Sequence, residues 1–91
     1  MDHKTELFAK LNFFRQANPQ LQIHGKKFKT MIKALTLDYM LELPAEATID
    51  AAEILDAYRE FADDLSIEIA DTFKEKLETT LELKSRRRYG R

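Results

Sequence analysis

Leu7, Phe8, Leu11 and Phe14 recur at i, i+1, i+4 and i+7, which is one face of a helix beginning near Thr5. Asn18-Pro19 closes that helix, because the residue before a proline is pushed out of helical space. Leu21 and Ile23 alternate with polar neighbours, but Gly25 ends the stretch quickly, so residues 18–25 are expected to form a loop. A second helix is predicted from Lys26, with Phe28, Met31, Ile32, Leu35 and Tyr39 on one face. Its end is ambiguous, because the odd positions Leu35, Leu37, Tyr39, Leu41 and Leu43 also spell a strand alternation. Such a strand would have only residues 20–24 to pair with, and an isolated hairpin is marginal in water. Helix is therefore the expected state, ended by Pro44.

Thr48 is positioned to cap a third helix, with Asp50 and Glu53 near its positive end. Ala51, Ile54, Leu55, Tyr58, Phe61, Ala62 and Leu65 then make a continuous apolar stripe. Beyond Leu65 the apolar positions Ile69, Phe73, Leu77 and Leu81 are four apart. At about 100° per residue, each such step swings the stripe sideways by about 40°. That drift calls for a kink or break around Asp63–Ser66. The acids argue for continuity: on one unbroken helix Asp50, Glu53, Glu60, Asp64, Glu68, Asp71, Glu75, Glu78 and Glu82 stay within a sector of about 80°. No proline or glycine interrupts this stretch, so one long helix from about 48 to 85 is expected, bent at most at 63–66.

The expected fold class is thus all-α, with two shorter helices and one long C-terminal helix. A single helical domain covers residues 1–85, and residues 86–91 form a basic C-terminal tail. A helix of about 38 residues spans roughly 57 Å. A compact chain of this length has a radius of gyration of only about 12–13 Å. The long helix would overhang its own core and leave Leu65, Ile69, Phe73, Leu77 and Leu81 in need of cover. A homodimer, antiparallel in the long helices, is the expected answer.

Length and composition narrow the classes further. Ninety-one residues are room for one domain, and 44% hydrophobic residues exclude a wholly disordered chain. The absence of cysteine removes disulfides, thiolate metal sites and thiol nucleophiles. Unbroken runs of large apolar residues reach only the length of Tyr39-Met40-Leu41, so no membrane span is expected. Met1-Asp2-His3-Lys4 lacks the apolar run of a signal peptide, and a cytoplasmic location is expected.

The net charge of −1 conceals three blocks. Residues 1–40 sum to +4, residues 41–83 to −10, and residues 84–91 to +5. Such segregation speaks about partners rather than fold.

Catalytic chemistry finds little support. His3 and His24 share no metal-ligand spacing, and neither Ser66 nor Ser85 sits in a Gly-x-Ser-x-Gly turn. The many carboxylates face water, without the contrasting environments that separate catalytic pKa values. The helix opening Ala47-Thr48-Ile49-Asp50 resembles the second-helix motif of acyl carrier proteins, but the serine that must carry the prosthetic group is missing. No enzyme activity, metal or cofactor is expected.

The sharpest local feature is the tail. Lys84, Arg86, Arg87, Arg88 and Arg91 suit an arm that contacts phosphates, with Tyr89 available to stack on a base. Lys26, Lys27, Lys29 and Lys33 form a second basic cluster. The expected function is a non-enzymatic regulatory or accessory protein that dimerises and binds nucleic acid through these segments, in the style of a phage or mobile-element regulator. The alternative is a protein–protein adaptor or inhibitor whose apolar and acidic helix faces engage a larger partner.

Overall fold

The computed structural model describes residues 2–44 and 46–89, with side chains through Lys84. Asp2 opens the first helix, α1 (His3–Ala17), by accepting a hydrogen bond from the Thr5 amide at 2.7 Å. That bond holds the Asp2 carboxyl below its usual range. α1 buries Leu7 and Leu11 completely and half-buries Phe8 and Phe14, the face its spacing predicts. It stops at Asn18, whose side-chain amide donates to the Phe14 carbonyl at 2.9 Å.

A turn around Gly25 leads into α2 (Lys26–Glu42). A Cβ at Gly25 would stand 3.1 Å from the Gln22 carbonyl oxygen, so the tight turn favours glycine. The stretch from Leu35 is helical to Glu42: Met40 is buried while Leu41 is exposed, the reverse of a strand alternation. Thr36 is buried on this helix, and its hydroxyl donates to the Ile32 carbonyl at 2.9 Å.

α3 (Ala51–Asp64) is capped by Asp50 rather than Thr48. The Asp50 carboxylate accepts from the Ala52 amide at 2.9 Å, whereas Thr48 is exposed two residues upstream.

The long C-terminal helix does not form. The chain breaks after Asp64 and resumes as α4 (Thr72–Tyr89), so four helices of 15, 17, 14 and 18 residues replace two short ones and a long one. The stop is a Schellman motif. Ser66 takes a left-handed backbone, φ 57°, while the Ile67 amide donates to the Ala62 carbonyl at 2.8 Å and the Ser66 amide to Asp63 at 3.0 Å. Ile67 is buried just past the turn, the apolar contact that usually accompanies this stop. The sideways drift of Ile69, Phe73, Leu77 and Leu81 therefore marked a real break. The in-phase acids did not oppose it, since exposed carboxylates gain nothing from sharing one helix.

Folding back covers the apolar line within the chain. Phe73 and Leu77 are 3% and 0% exposed, while Leu65, Ile69 and Leu81 pack partly buried against the same core. Two fully buried side chains of this kind are worth roughly 3–6 kcal/mol together, available without a second copy. The overhang that called for an antiparallel dimer of long helices is absent.

α1 packs on both α2 and α3, and α4 packs on both α2 and α3, so the helices form a ring with α1 diagonal to α4. Aromatic pairs tie the ring together. Phe8 meets Phe61 edge-on at 6.4 Å, Phe14 lies 5.9 Å from Phe28, and Tyr58 lies 4.5 Å from Phe73. The radius of gyration is 13.4 Å. Among the described residues no helix is long and apolar enough to cross a membrane.

Candidate binding surfaces

The basic cluster on α2 sits at the end of the bundle. Lys26 and Lys27 are exposed, and Lys29 and Lys33 are half-buried along the first turns. The helix begins with no side-chain cap on its amides and no acid in its first turn. Its N-terminal dipole therefore adds to the lysines' positive field. None of the four lysines forms an ion pair with a described residue.

Lys84 has a different setting from the one expected of a phosphate contact. Its ammonium donates to the carbonyls of Leu41 and Leu43, at the far end of α2. α2 has no basic residue of its own in its last turn, so Lys84 supplies the cation that the negative helix end favours. The side chains of Arg86, Arg87, Arg88 and Tyr89, and the whole of Arg91, lie outside the described residues. Lys26 and Lys33 lie fifteen and eight helical steps from Leu41, about 22 Å and about 12 Å, so the fold keeps Lys84 apart from the α2 cluster instead of merging the two.

The acids divide between α3, α4 and the link joining them. Asp56, Asp63 and Asp64 on α3 are exposed, as are Glu75 and Glu78 on α4. One continuous helix would set Asp64 and Glu68 four positions apart on the same face, and the break separates these like charges. Glu60 has a partner: Lys4 on α1 approaches to 2.6 Å, and this carboxylate raises the Lys4 pKa. The pair is open to solvent and contributes little to stability.

Next to it lies a half-buried polar cluster that spacing alone did not reveal. The Tyr39 hydroxyl donates to Glu6, the His3 ring meets Tyr39 edge-on at 6.3 Å, and His3 Nδ1 lies 3.8 Å from Glu53. Burial, then the Glu6 carboxylate, hold the Tyr39 phenol well above its ordinary pKa. Among the described residues no group of three or more His, Asp or Glu is placed to hold a metal ion.

Between α1 and α2 runs an apolar groove of about 730 Å³. Its floor is formed by Leu7 and Tyr39, which are buried, and by Phe14 and Leu35, which are half-buried, and Lys10 and Glu42 stand exposed beside it. Phe13 borders the groove and is 73% exposed, against 50% for Leu83 and 38% for Leu41. In sequence the signal was the Phe13-Phe14 pair, in which one ring faces the core and the other faces away. Comparison of the chain with family models, with curated proteins and with solved structures finds no match.

Proposed function

We propose that this chain is a small non-enzymatic accessory or regulatory protein that contacts nucleic-acid phosphates with the basic end of α2, assisted by the arginine-rich tail. The observation that carries the reading is the set of four lysines around an uncapped helix start, without an acidic partner among the described residues. An unneutralised cluster of this kind attracts a polyanion and gives it little sequence preference. Each phosphate contact releases counterions, so four lysines contribute about −3 to −4 to the slope of log K against log salt on duplex DNA. Fluorescence anisotropy with a labelled duplex and a labelled single-stranded RNA, across a salt series, tests this. The chain carrying Lys26→Ala, Lys27→Ala, Lys29→Ala and Lys33→Ala is expected to lose that part of the slope with its helicity unchanged. Equal binding by this variant, or no binding of either probe at low salt, refutes the reading.

The adaptor reading draws on the opposite face. Asp56, Asp63, Asp64, Glu75 and Glu78 are exposed without an ion pair to a described residue, a surface suited to a basic protein partner. In that case Asp63→Asn with Asp64→Asn weakens partner binding, and the lysine substitutions do not.

A further inference from the structure

We propose that the α1–α2 groove seats a second copy of this chain, with Phe13 of each protomer packed at the two-fold axis. This goes beyond the phosphate-binding reading and stands independently of it, because the groove and the basic end share no residue.

The groove has both halves of a self-complementary fit. It is an apolar hollow of about 730 Å³, and beside it stands the most exposed large hydrophobic side chain described, Phe13 at 73%. Hollow and ring on one face let two copies fill each other, as a two-fold contact requires. The row carrying Phe13 is suited to it. Ala9, Phe13 and Ala17 are exposed at four-residue steps, one ridge of the kind that interdigitates when helices cross at about −50°. Small residues flank the ring on both sides, and the row is symmetric about it. An antiparallel α1 of a second copy lays Ala17 over Ala9 and Gln16 opposite Lys10, with no like charges opposed at these positions.

Charge favours this face over the others for a second copy. Lys10 beside Glu6 and Glu42 gives the groove face both signs. Two copies meeting through the acidic faces of α3 and α4 would oppose carboxylates, and two meeting through the start of α2 would oppose lysines. Size is also adequate. A stable pair buries about 800 Å² per partner. That is roughly an eighth of the 6148 Å² surface, and α1–α2 is one of the four sides of the ring.

Sedimentation equilibrium of the full chain from about 1 to about 300 μM spans the affinities expected of a modest interface. The mass is expected to rise from 10.7 kDa toward twice that value. Phe13→Asp removes an exposed ring, so its helicity and unfolding midpoint serve as the check on folding. It should weaken association at least about tenfold, as loss of a central aromatic anchor does. Ala17→Glu, at a second exposed position on the same ridge, should do likewise, while Leu83→Asp, exposed on α4, should leave association unchanged. A wild-type chain that stays at 10.7 kDa throughout overturns the proposal. So does association that survives both Phe13→Asp and Ala17→Glu, or that is lost only in Leu83→Asp. Anisotropy of the monomeric Phe13→Asp chain on duplex DNA keeps the two readings apart, because phosphate contact through α2 does not need this seat.

Discussion

Phe73 distinguishes a four-helix core from a seam between long helices. Its ring is 3% exposed and lies 4.5 Å from the Tyr58 ring, inside the angle between α3 and α4. Phe73→Ala removes the ring and leaves a cavity beside Tyr58, a change that costs about 3–5 kcal/mol in well-packed cores. A domain of this size has a total stability of roughly 5–14 kcal/mol, so the loss is a large share of it. At about 4–8 °C per kcal/mol, the melting temperature should fall by at least about 12 °C. Urea unfolding followed by circular dichroism, at two protein concentrations a hundredfold apart, measures the loss. Because Phe73 packs within its own chain, the loss should be the same at both concentrations, and Phe13→Ala should show almost none at the lower one. A loss that appears only at high concentration, or one below about 1 kcal/mol, refutes the intrachain packing of α4.

Three further outcomes follow from the same structure. Ser66→Gly relieves a left-handed residue worth about 1–2 kcal/mol against a glycine entropy cost of about 0.4–1 kcal/mol. A net gain of up to about 1.5 kcal/mol in urea unfolding is therefore expected, whereas Ser66→Val should lose stability. Lys84→Met keeps the apolar stem but withdraws the ammonium from the Leu41 and Leu43 carbonyls, and should cost about 1 kcal/mol. Truncation after Leu83 should show the same fall in melting temperature and truncation after Lys84 should not, which places the effect on one side chain. Tyr58 is 1% exposed, and burial pushes its phenol up to about 12. The unfolded chain ionises near pH 10, so the contribution of neutral Tyr58 is complete below pH 10 and is lost as pH rises toward 12, about 2–3 kcal/mol in all. Tyr39 acts in the same direction. In a Tyr89→Phe chain, which leaves only these two phenols, tyrosinate absorbance that rises at pH 10 without unfolding contradicts this.

What the sequence by itself determined is local. Pro19 and Pro44 restrict the backbone where they stand and Gly25 fits the tight turn between the helices, so the end of α1 and both bounds of α2 follow from them within two residues. The apolar faces of both helices were legible for a similar reason, since a 3.6-residue period selects the same side chains wherever the helix packs. The lysines at the start of α2 were legible as a cluster, whereas their lack of an ion pair with a described acid was decided by the fold. Tertiary structure decided the rest. Residues 48–85 contain no helix breaker, and a serine rather than a glycine adopts the left-handed turn, so intrinsic propensity favours the long helix over the hairpin. The hairpin wins because α2 and α3 together offer a surface on which Phe73 and Leu77 bury completely. The acidic stripe, in phase over the whole length, had no vote, because solvated carboxylates gain almost nothing from alignment. Lys84 is a cap rather than a free cation because its acceptors lie more than forty positions earlier. The open groove beside Phe13 exists because of how α1 and α2 pack, and no repeat along the chain encodes that spacing.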